Sequence, residues 1–307
     1  MAKPTYQQIH TDVPLTNISI AYTPGTFIAP NVFPMVPVQK ISNKYFIYTK
    51  SDWLRREAST RAPGTRSARG DYGLTTSNYV CIEYGMGKGV PDEIVDNADD
   101  PLKPLVEATQ WVTNQIMLEQ EANVAGIAFG TGWSTSATPS TLWSNDTSDP
   151  LGDIETGMNT VVGTIGQVAN TGVIGRGLWR YLKNHPDMVD RIKYGATPGS
   201  PAVVTLQAIA ALAGLDSIQV GLAINDTGQE GATSTIAYLW GNHLLLEYVP
   251  SGPSLMTPAA GYLFTYQNRV ISRFREEQER QDVVEAIQSW VAVLTAADAG
   301  YFIKSAA

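Results

Sequence analysis

Five arginines lie within fifteen consecutive residues, 55–69, of a chain that is acidic overall. Guanidinium groups at this density bind anions, which in proteins are phosphates or carboxylates. The chain carries a net charge of -8 and a pI near 4.9, which argues against a broad DNA-binding face. No aromatic residue lies between Trp53 and Tyr72 on which a nucleic acid base could stack. The pattern indicates a local anion-binding segment, and its members are Arg55, Arg56, Arg61, Arg66 and Arg69.

Two further charged stretches could take part in such contacts. The stretch PDEIVDNADD, 91–100, sets five carboxylates within nine residues, a spacing that does not match an EF-hand loop but leaves a loose cation site open. Capping of a following helix accounts for its last two aspartates. The stretch SRFREEQERQD, 272–282, predicts either a solvated hairpin end or an ion-paired contact between subunits. The candidate contact residues in these stretches are Asp92, Glu93, Asp96, Asp99, Asp100, Arg273, Arg275, Glu276 and Glu277.

The residue types that usually perform catalysis or bind metals form no recognisable constellation. The three histidines, His10, His185 and His243, have no metal-ligand spacing to one another. His185 lies beside a proline at a predicted helix break, where a surface or capping role is favoured over catalysis. The glycine-rich stretch GMGKGV, 85–90, matches neither nucleotide-binding fingerprint and predicts a hinge. We expect no enzyme activity, no cofactor and no metal, and the alternative is an α/β enzyme with a dispersed site.

Composition limits the class of protein further. With 307 residues and 43% apolar residues the chain can fill a sizeable core, whereas only 16% of its residues are charged. Because that fraction is low for a monomer whose whole surface meets water, we expect much of the surface to face protein. The single cysteine, Cys81, excludes an intramolecular disulfide. The sequence contains no recognisable signal peptide or membrane span, which predicts a protein that is soluble and intracellular when made.

The arginine run must be positioned by the segments on either side of it. Residues 1–40 carry six prolines, which predicts an extended arm without a core of its own. Aromatic and β-branched residues predict strands over 43–54 and 75–86, so the arginine run becomes the polar tip of a long β-hairpin. The apolar arm residues that must pack on another part of the protein are Phe27, Ile28, Val32, Phe33 and Met35.

A long helix and a compact α/β unit follow the hairpin. Apolar residues at steps of three or four predict a helix of about 28 residues, roughly 40 Å long, capped by Asp99 or Asp100 with Pro101 at its first position. From about residue 152, helices alternate with short strands, and the last stretch predicts one long strand, although its first part, DVVEAIQSW, is also compatible with a helix. The predicted helices cover 176–193, interrupted at Pro186, and 200–215; the predicted strands cover 217–224, 235–240, 243–249 and 282–304.

This order of parts resembles the major capsid proteins of tailed bacteriophages. The resemblance covers nearly the whole chain and lies in order and pattern, without an invariant catalytic signature. The stretches that carry it are TPGTFIAPNVFPMVPV in the arm, VPDEIVDNADDPLKPLVEAT before the long helix, GRGLWRYLKNHPDMVDRIKY, and the closing DVVEAIQSWVAVLTAADAGYFI. It implies an α+β fold with an N-terminal arm (1–40), an extended hairpin loop (41–84), a peripheral domain (85–155 and 255–307) that includes a spine helix (100–129), and an inserted axial domain (156–254).

The resemblance also implies a structural function and a set of partners. The chain is expected to form hexamers and pentamers that tile an icosahedral head around packaged double-stranded DNA, without sequence-specific contact to that DNA and without a membrane. Each hairpin loop would lie over an adjacent subunit. Because only about 40 arm residues precede the loop, a separate scaffolding protein is expected, together with a portal protein and a decoration or cement protein. The chain would be made in the bacterial cytoplasm and end in the virion.

One feature of the hairpin loop departs from the family pattern. Some members seal the shell with an isopeptide bond from a loop lysine, but residues 52–72 contain no lysine here, so non-covalent contacts are expected. The loop arginines are then expected to pair with acidic residues of a neighbouring subunit. A nanocompartment shell of the same fold, of the encapsulin type, is the alternative within the resemblance.

Overall fold

The computed structural model of the chain describes residues 27–48, 50–98, 102–195, 204–229, 231, 233–253 and 257–307. Most of the predicted arm and the predicted helix cap at Asp99, Asp100 and Pro101 lie outside these residues. Within the described part, no helix is long and apolar enough to cross a membrane.

A four-stranded sheet is built around one long hairpin. Its strands are β1 (Met35–Pro37), β4 (Ile82–Pro91), β11 (Gly261–Glu276) and β12 (Gln281–Leu294), in the order β1-β11-β12-β4. The hairpin of β11 and β12 pairs from Gly261 opposite Leu294 to Glu276 opposite Gln281, with register shifts between Thr265 and Val270. Strand β11 was not predicted from the sequence.

The arginine run lies at the end of a separate two-stranded hairpin. Strands β2 (Ser42–Tyr48) and β3 (Leu74–Val80) pair antiparallel, and a short helix α2 (Lys50–Leu54) follows β2. The predicted strand 43–54 is therefore wrong beyond Tyr48. The predicted strand 75–86 is two strands, because the Cys81 N–H bonds to the Ile41 carbonyl and ends the hairpin before β4 begins in the other sheet.

Ahead of the hairpin, the short helix α1 (Ala29–Val32) belongs to the arm, and α3 (Asp92–Asp96) follows β4. The long helix is α4, Pro104–Ala128, and its 25 residues span about 37 Å. It begins three residues later than predicted, because Pro104 is the first helical residue and Lys103 precedes it without a side-chain cap. Val112 and Ile116, two residues of the predicted stripe, are buried against β4 and β12.

A five-stranded sheet forms the second half of the fold. Its order is β5 (Thr135–Ala137), β13 (Gly300–Ile303), β10 (Leu244–Glu247), β6 (Thr171–Gly175) and β7 (Ser217–Gly221). Strands β6 and β7 are parallel, whereas β10 is antiparallel to both of its neighbours, β6 and β13. The sheet combines strands from both predicted domains, and the division into peripheral and axial domains stays a prediction.

Helices cover one face of the five-stranded sheet. They are α5 (Pro150–Ile165), α6 (Arg176–Leu182), α7 (Pro186–Gly195) and α8 (Leu206–Ala213). The break at Pro186 and the end of α8 at Gly214 confirm two sequence predictions, whereas α5 was not predicted. A small separate hairpin joins β8 (Ile224–Asp226) to β9 (Ile236–Tyr238).

The predicted strands of the second half are shorter than the sequence pattern indicates. The strand 217–224 ends at Gly221, where a Cβ would lie 2.1 Å from Cγ of Trp240. The strand 282–304 is divided into β12, a 3-10 helix at Ala297–Ala299, and β13, which lies in the other sheet. No β-branched residue lies between Thr295 and Ile303, so the stretch AADAG at 296–300 marks the change of sheet that the prediction of one strand missed.

The arm packs into the core between the two sheets. Ile28, Val32 and Phe33 are buried there with the last turns of α4, as the sequence predicts for a segment without a core of its own, and Phe27 packs at the edge. Met35 departs from the prediction because it is 52% exposed. The described end of the arm is therefore an integral part of the subunit core.

Candidate functional site

The arginine run forms an exposed loop on the end of the β2–β3 hairpin. Every residue from 54 to 73 is exposed, including all five arginines. Five arginines against Glu57 give residues 55–69 a local charge of +4. The Gly73 N–H donates a 2.7 Å hydrogen bond to the Asp52 carboxylate and closes the neck of the loop. The nearest acid, Glu57, lies 3.9 Å from the Arg55 guanidinium, too far for a strong hydrogen bond.

The hairpin is held at its base by aromatic contacts. The rings of Tyr45 and Tyr79 lie 6.0 Å and 4.6 Å from the ring of Phe264 on β11, and Cys81 is buried beside them. Burial raises the pKa of the Cys81 thiol, so it is a packed thiol and not a reactive thiolate. The base is therefore anchored on the subunit while the tip extends into solvent.

The opposite face of the hairpin carries uncovered apolar side chains. Opposed residues of an antiparallel pair share a face, and side chains alternate along each strand. Phe46, Leu74 and Val80 consequently lie on the face that does not contact Phe264, and they are 52%, 47% and 50% exposed. A soluble protein rarely exposes such a cluster unless another surface covers it.

The acidic stretch is partly neutralised within the subunit. Arg275 binds the Asp92 carboxylate through two hydrogen bonds, Nη1 to Oδ1 at 2.5 Å and Nη2 to Oδ2 at 2.6 Å. The guanidinium holds the pKa of Asp92 below its usual range. Both Asp92 oxygens accept a hydrogen bond inside the subunit, and a contact of Asp92 with a neighbouring subunit stays a prediction. Glu93 and Asp96 on α3 are exposed, and Asp99 and Asp100 lie outside the described residues.

The charged stretch 272–282 lies at the end of the β11–β12 hairpin, as one of its two predicted interpretations requires. Arg273 binds Asp282 at 2.6 Å, and Arg275 lies 3.8 Å from Glu277 as well as on Asp92. Glu276 accepts a 2.7 Å hydrogen bond from Gln281. Five charged side chains of this stretch thus have partners in the same subunit, and a contact between subunits at this end stays a prediction.

His185 is buried and caps a helix. Its Nδ1 accepts a hydrogen bond from the Asp187 N–H in the first turn of α7, which confirms the capping role and excludes the surface role. Because Nδ1 is the acceptor, the neutral ring carries its proton on Nε2, which lies 3.0 Å from Ser148 Oγ and 3.2 Å from the Asn145 carbonyl. A ring in this tautomer cannot remove the Ser148 proton. The pair is therefore structural and does not form an activated nucleophile.

The other candidates for chemistry are also structural. His243 accepts from the Ser305 N–H through Nδ1 at 2.8 Å and packs against Phe129, and burial lowers its pKa. The stretch GMGKGV is neither a phosphate loop nor the predicted hinge, because it lies within β4 and pairs with β12. No group of three His, Cys, Asp or Glu residues among the described residues could hold a metal ion.

Sequence reasoning missed two buried glutamates. Glu121 on α4 accepts from the backbone N–H groups of Ile28 and Ala29 and from the Trp240 indole, so one carboxylate joins the arm, the long helix and the segment after β9. Glu247 on β10 is fully buried, and neither of its oxygens has a hydrogen-bond partner in the described chain. The sequence feature that could have revealed the burial of Glu121 is its spacing, in multiples of four residues, from the buried Thr113 and Ala125 on α4.

The chain is similar to curated capsid proteins of two phages, although no family model matches it. It is 29% identical to the major capsid protein of Pseudomonas phage JBD67 over 242 residues, which is 77% of this chain and 76% of that protein. It is 28% identical to the major capsid protein of Burkholderia phage BcepMu over 305 residues, which is 95% of each chain.

Solved structures share the fold over almost the whole chain. A phage-related protein from Bordetella bronchiseptica RB50 gives a TM-score of 0.75 at 23% identity and 98% coverage of both chains. The capsid structure of cyanophage P-SCSP1u gives 0.63 at 10% identity, covering 99% of this chain and 92% of that one. The virus-like particle from Pyrococcus furiosus gives 0.56 at 11% identity, covering 94% and 96%. This chain therefore has the fold of phage capsid subunits and resembles phage major capsid proteins in sequence over most of its length.

Proposed function

We propose that the chain is the major capsid protein of a tailed phage, a subunit that assembles into the icosahedral shell of the virion. The observation that carries this proposal is the combination of end-to-end sequence similarity to a phage major capsid protein with a capsid fold over the whole chain. Hexamers and pentamers around double-stranded DNA are the assembly that such a subunit would form. A separate scaffolding protein, a portal protein and a cement protein belong to the same proposal.

The surfaces of the subunit are consistent with assembly. The β2–β3 hairpin exposes an apolar face at Phe46, Leu74 and Val80 and carries a loop of local charge +4 at its end. Burial of the apolar face on another subunit would remove it from water, which stabilises association. The arginine loop would then lie over a subunit whose overall charge is negative.

The acids that receive the loop arginines are proposed to be exposed residues of the acidic stretch on a neighbouring subunit. Glu93 and Asp96 are the candidates because they are exposed on α3, whereas Arg275 already occupies Asp92. Asp99 and Asp100 belong to the same stretch. A single exposed pair contributes about 0–1 kcal/mol, but the contact recurs at every equivalent position of a closed shell.

The contact is proposed to be non-covalent. Residues 52–72 contain no lysine that could form an isopeptide bond. Lys88, beyond the hairpin, has its ammonium 5.4 Å from the centre of the Trp111 ring, an arrangement that favours a cation–π contact inside the subunit. The shell would therefore dissociate into single chains in a denaturing gel.

The sequence leaves two alternatives to a phage capsid protein, a nanocompartment shell and an α/β enzyme. The identity of 28–29% to the major capsid proteins of two phages favours a viral head over a nanocompartment shell. An enzyme with a dispersed site is disfavoured because the described histidines are used in capping and packing.

Electron microscopy of the purified full-length protein tests the proposal. We expect shells, capsomers or rings, and uniform monomers at micromolar concentration would contradict it. Particles isolated from cells that produce the phage should protect double-stranded DNA from nuclease. Particles that enclose protein and no DNA would instead support the nanocompartment.

A further inference from the structure

A pocket of about 400 Å³ lies beside helix α6, well away from the arginine loop in sequence. Its volume falls within the range of about 300–1,000 Å³ that is typical of small-ligand sites. The polar and aromatic residues that line it are Arg176, Arg180, Tyr181, Lys183, Tyr238 and Asn242.

The lining of the pocket is strongly cationic. Arg176, Arg180 and Lys183 bring three positive charges, and no carboxylate is found among the described residues that line it. Within the described part of the chain none of these three has an ion pair, whereas Arg273 and Arg275 are each paired with an aspartate. Like charges that share one pocket repel one another, so an anion bound between them gains from all three.

Two of the lining groups are held in fixed positions. Arg180 donates a 2.9 Å hydrogen bond from Nη2 to the Tyr181 hydroxyl, and its guanidinium stacks over the same ring at 4.8 Å. The Asn242 carbonyl accepts a 3.0 Å hydrogen bond from the Ala306 N–H, which fixes the turn that carries its side chain. A rigid donor loses little conformational entropy when a ligand binds.

The wall between α6 and this turn depends on two glycines. A Cβ at Gly175 would lie 1.7 Å from the Gly241 carbonyl oxygen, and one at Gly177 would lie 2.1 Å from Asn242 Oδ1. The absence of both side chains lets residues 241–242 approach the start of α6 and places the Asn242 side chain against Gly177. The pocket is thus shaped by close packing of two backbone segments.

We propose that this pocket binds a compact oligoanion of the phosphate class. Two guanidinium groups, an ammonium and two phenol hydroxyls supply donors that match closely spaced phosphate oxygens. A single carboxylate would neutralise one of the three positive charges of the pocket. Two or three linked phosphates would neutralise all three charges within a small volume. The phosphates could belong to a free polyphosphate compound or to a nucleic acid backbone.

Calorimetric titration of the purified full-length protein at low salt tests this site. The ligands are inorganic phosphate, tripolyphosphate, a ten-residue oligothymidylate and hexaglutamate. We expect tripolyphosphate to bind, and to bind at least about tenfold more weakly to the double variant Arg176→Gln/Arg180→Gln, since each charge-assisted bidentate contact is lost. The single variant Lys183→Gln should show a smaller loss, and circular dichroism checks that each variant is folded.

Two controls separate the pocket from other cations. Arg191→Gln removes an exposed arginine on α7 that is paired with Asp187, and it should leave binding unchanged. Because the exposed loop can also attract an anion, Arg61→Gln/Arg66→Gln serves as a background, in which Arg176→Gln/Arg180→Gln should still lower tripolyphosphate affinity about tenfold. If oligothymidylate competes with tripolyphosphate for the pocket, the bound phosphates belong to a nucleic acid backbone. If tripolyphosphate binds and oligothymidylate does not, they belong to a free polyphosphate compound. Three results would overturn the proposal: equal tripolyphosphate binding by the parent and the Arg176→Gln/Arg180→Gln variant, tighter binding of hexaglutamate than of tripolyphosphate, or no binding of tripolyphosphate and oligothymidylate.

Discussion

The carboxylate of Glu121, two turns before the end of helix α4, accepts a 2.7 Å hydrogen bond from the indole Nε1 of Trp240. It also accepts bonds from the backbone N–H groups of Ile28 and Ala29, the latter at 2.7 Å. Burial raises the pKa of Glu121, and the hydrogen bonds from the arm and the indole oppose that rise. The described end of the arm is therefore attached to the helix by a buried polar contact as well as by apolar packing.

The first prediction concerns this contact. Glu121→Ala leaves three buried N–H groups without an acceptor, so we expect the free energy of unfolding to fall by about 3–5 kcal/mol. Glu121→Gln keeps one acceptor oxygen and should cost less. Urea unfolding followed by tryptophan fluorescence measures both. Glu119→Ala is the matched control, since Glu119 is exposed two residues earlier on the same helix, and a similar loss in that variant would contradict the assignment.

The second prediction concerns the loop arginines. Arg61→Glu/Arg66→Glu should impair shell assembly while leaving the subunit folded, because both side chains are exposed in the loop. Arg61→Lys/Arg66→Lys keeps the charge and should assemble more nearly as the parent does. Light scattering and electron microscopy measure assembly, and circular dichroism measures folding.

A charge exchange identifies the acidic partner. Adding Glu93→Arg/Asp96→Arg to the loop-reversed variant should restore assembly if these are the acids contacted. Shells of unchanged stability from the Arg61→Glu/Arg66→Glu variant would refute the electrostatic contact itself. Failure of the exchange alone would refute only the choice of Glu93 and Asp96.

The third prediction is a pH dependence that originates at Glu247. Burial raises its pKa well above the ordinary value of 4.5, so the folded protein holds the proton at a pH where the unfolded chain has lost it. The stabilising contribution is therefore complete below about pH 4.5 and is lost as the pH rises toward the folded pKa. The slope is at most about 1.4 kcal/mol per pH unit in that window.

Urea midpoints between pH 5 and pH 9 measure this effect as a difference between two proteins. Glu247→Gln cannot ionise, so its stability relative to the parent should increase with pH. Glu107→Gln makes the same substitution at an exposed glutamate and is the control. Its urea midpoints should differ from those of the parent by the same amount at every pH. Parallel curves for the Glu247 variant as well would show that its carboxyl reaches a partner or solvent.

The fourth prediction contrasts two glycines. Gly175→Ala places a methyl group against the Gly241 carbonyl, a backbone group that cannot rotate away, so we expect a loss of at least about 2 kcal/mol in unfolding free energy. Gly126→Ala lies within α4, where a Cβ would meet nothing within 4 Å. Because alanine favours helix over glycine, that variant should gain about 0.5–1 kcal/mol. Thermal and urea unfolding measure both, and a stable Gly175 variant would argue against the close contact.

The long helix, the strands beside the arginine run and the burial of the arm could be predicted from patterns of neighbouring residues. The step of Val112 and Ile116 indicated a long helix, and the β-branched residues on either side of the arginine run indicated two strands. The burial of Ile28, Val32 and Phe33 followed from an apolar segment with too many prolines to form its own core.

Long-range partners could not be predicted in the same way. Arg275 and Asp92 are 183 residues apart, and they meet only because β4 lies beside β12 in the sheet. The pairing of 282–294 and 300–303 with different strands was also missed, because the short break AADAG, where Ala297–Ala299 turns the chain from one sheet into the other, does not say which strand each part pairs with. The start of α4 at Pro104 was misplaced because two prolines, Pro101 and Pro104, both suit a first helical turn.

The exposed loop 54–73 also makes assembly measurable by protease digestion. Trypsin cleaves after arginine, and this segment offers five arginines in a stretch where every residue is exposed. A free subunit should therefore be nicked within this loop into two fragments that stay associated through the shared sheets. A neighbouring subunit that covers the loop would protect it from trypsin. The rate of cleavage should therefore fall as assembly proceeds, and it would report the progress of assembly in solution.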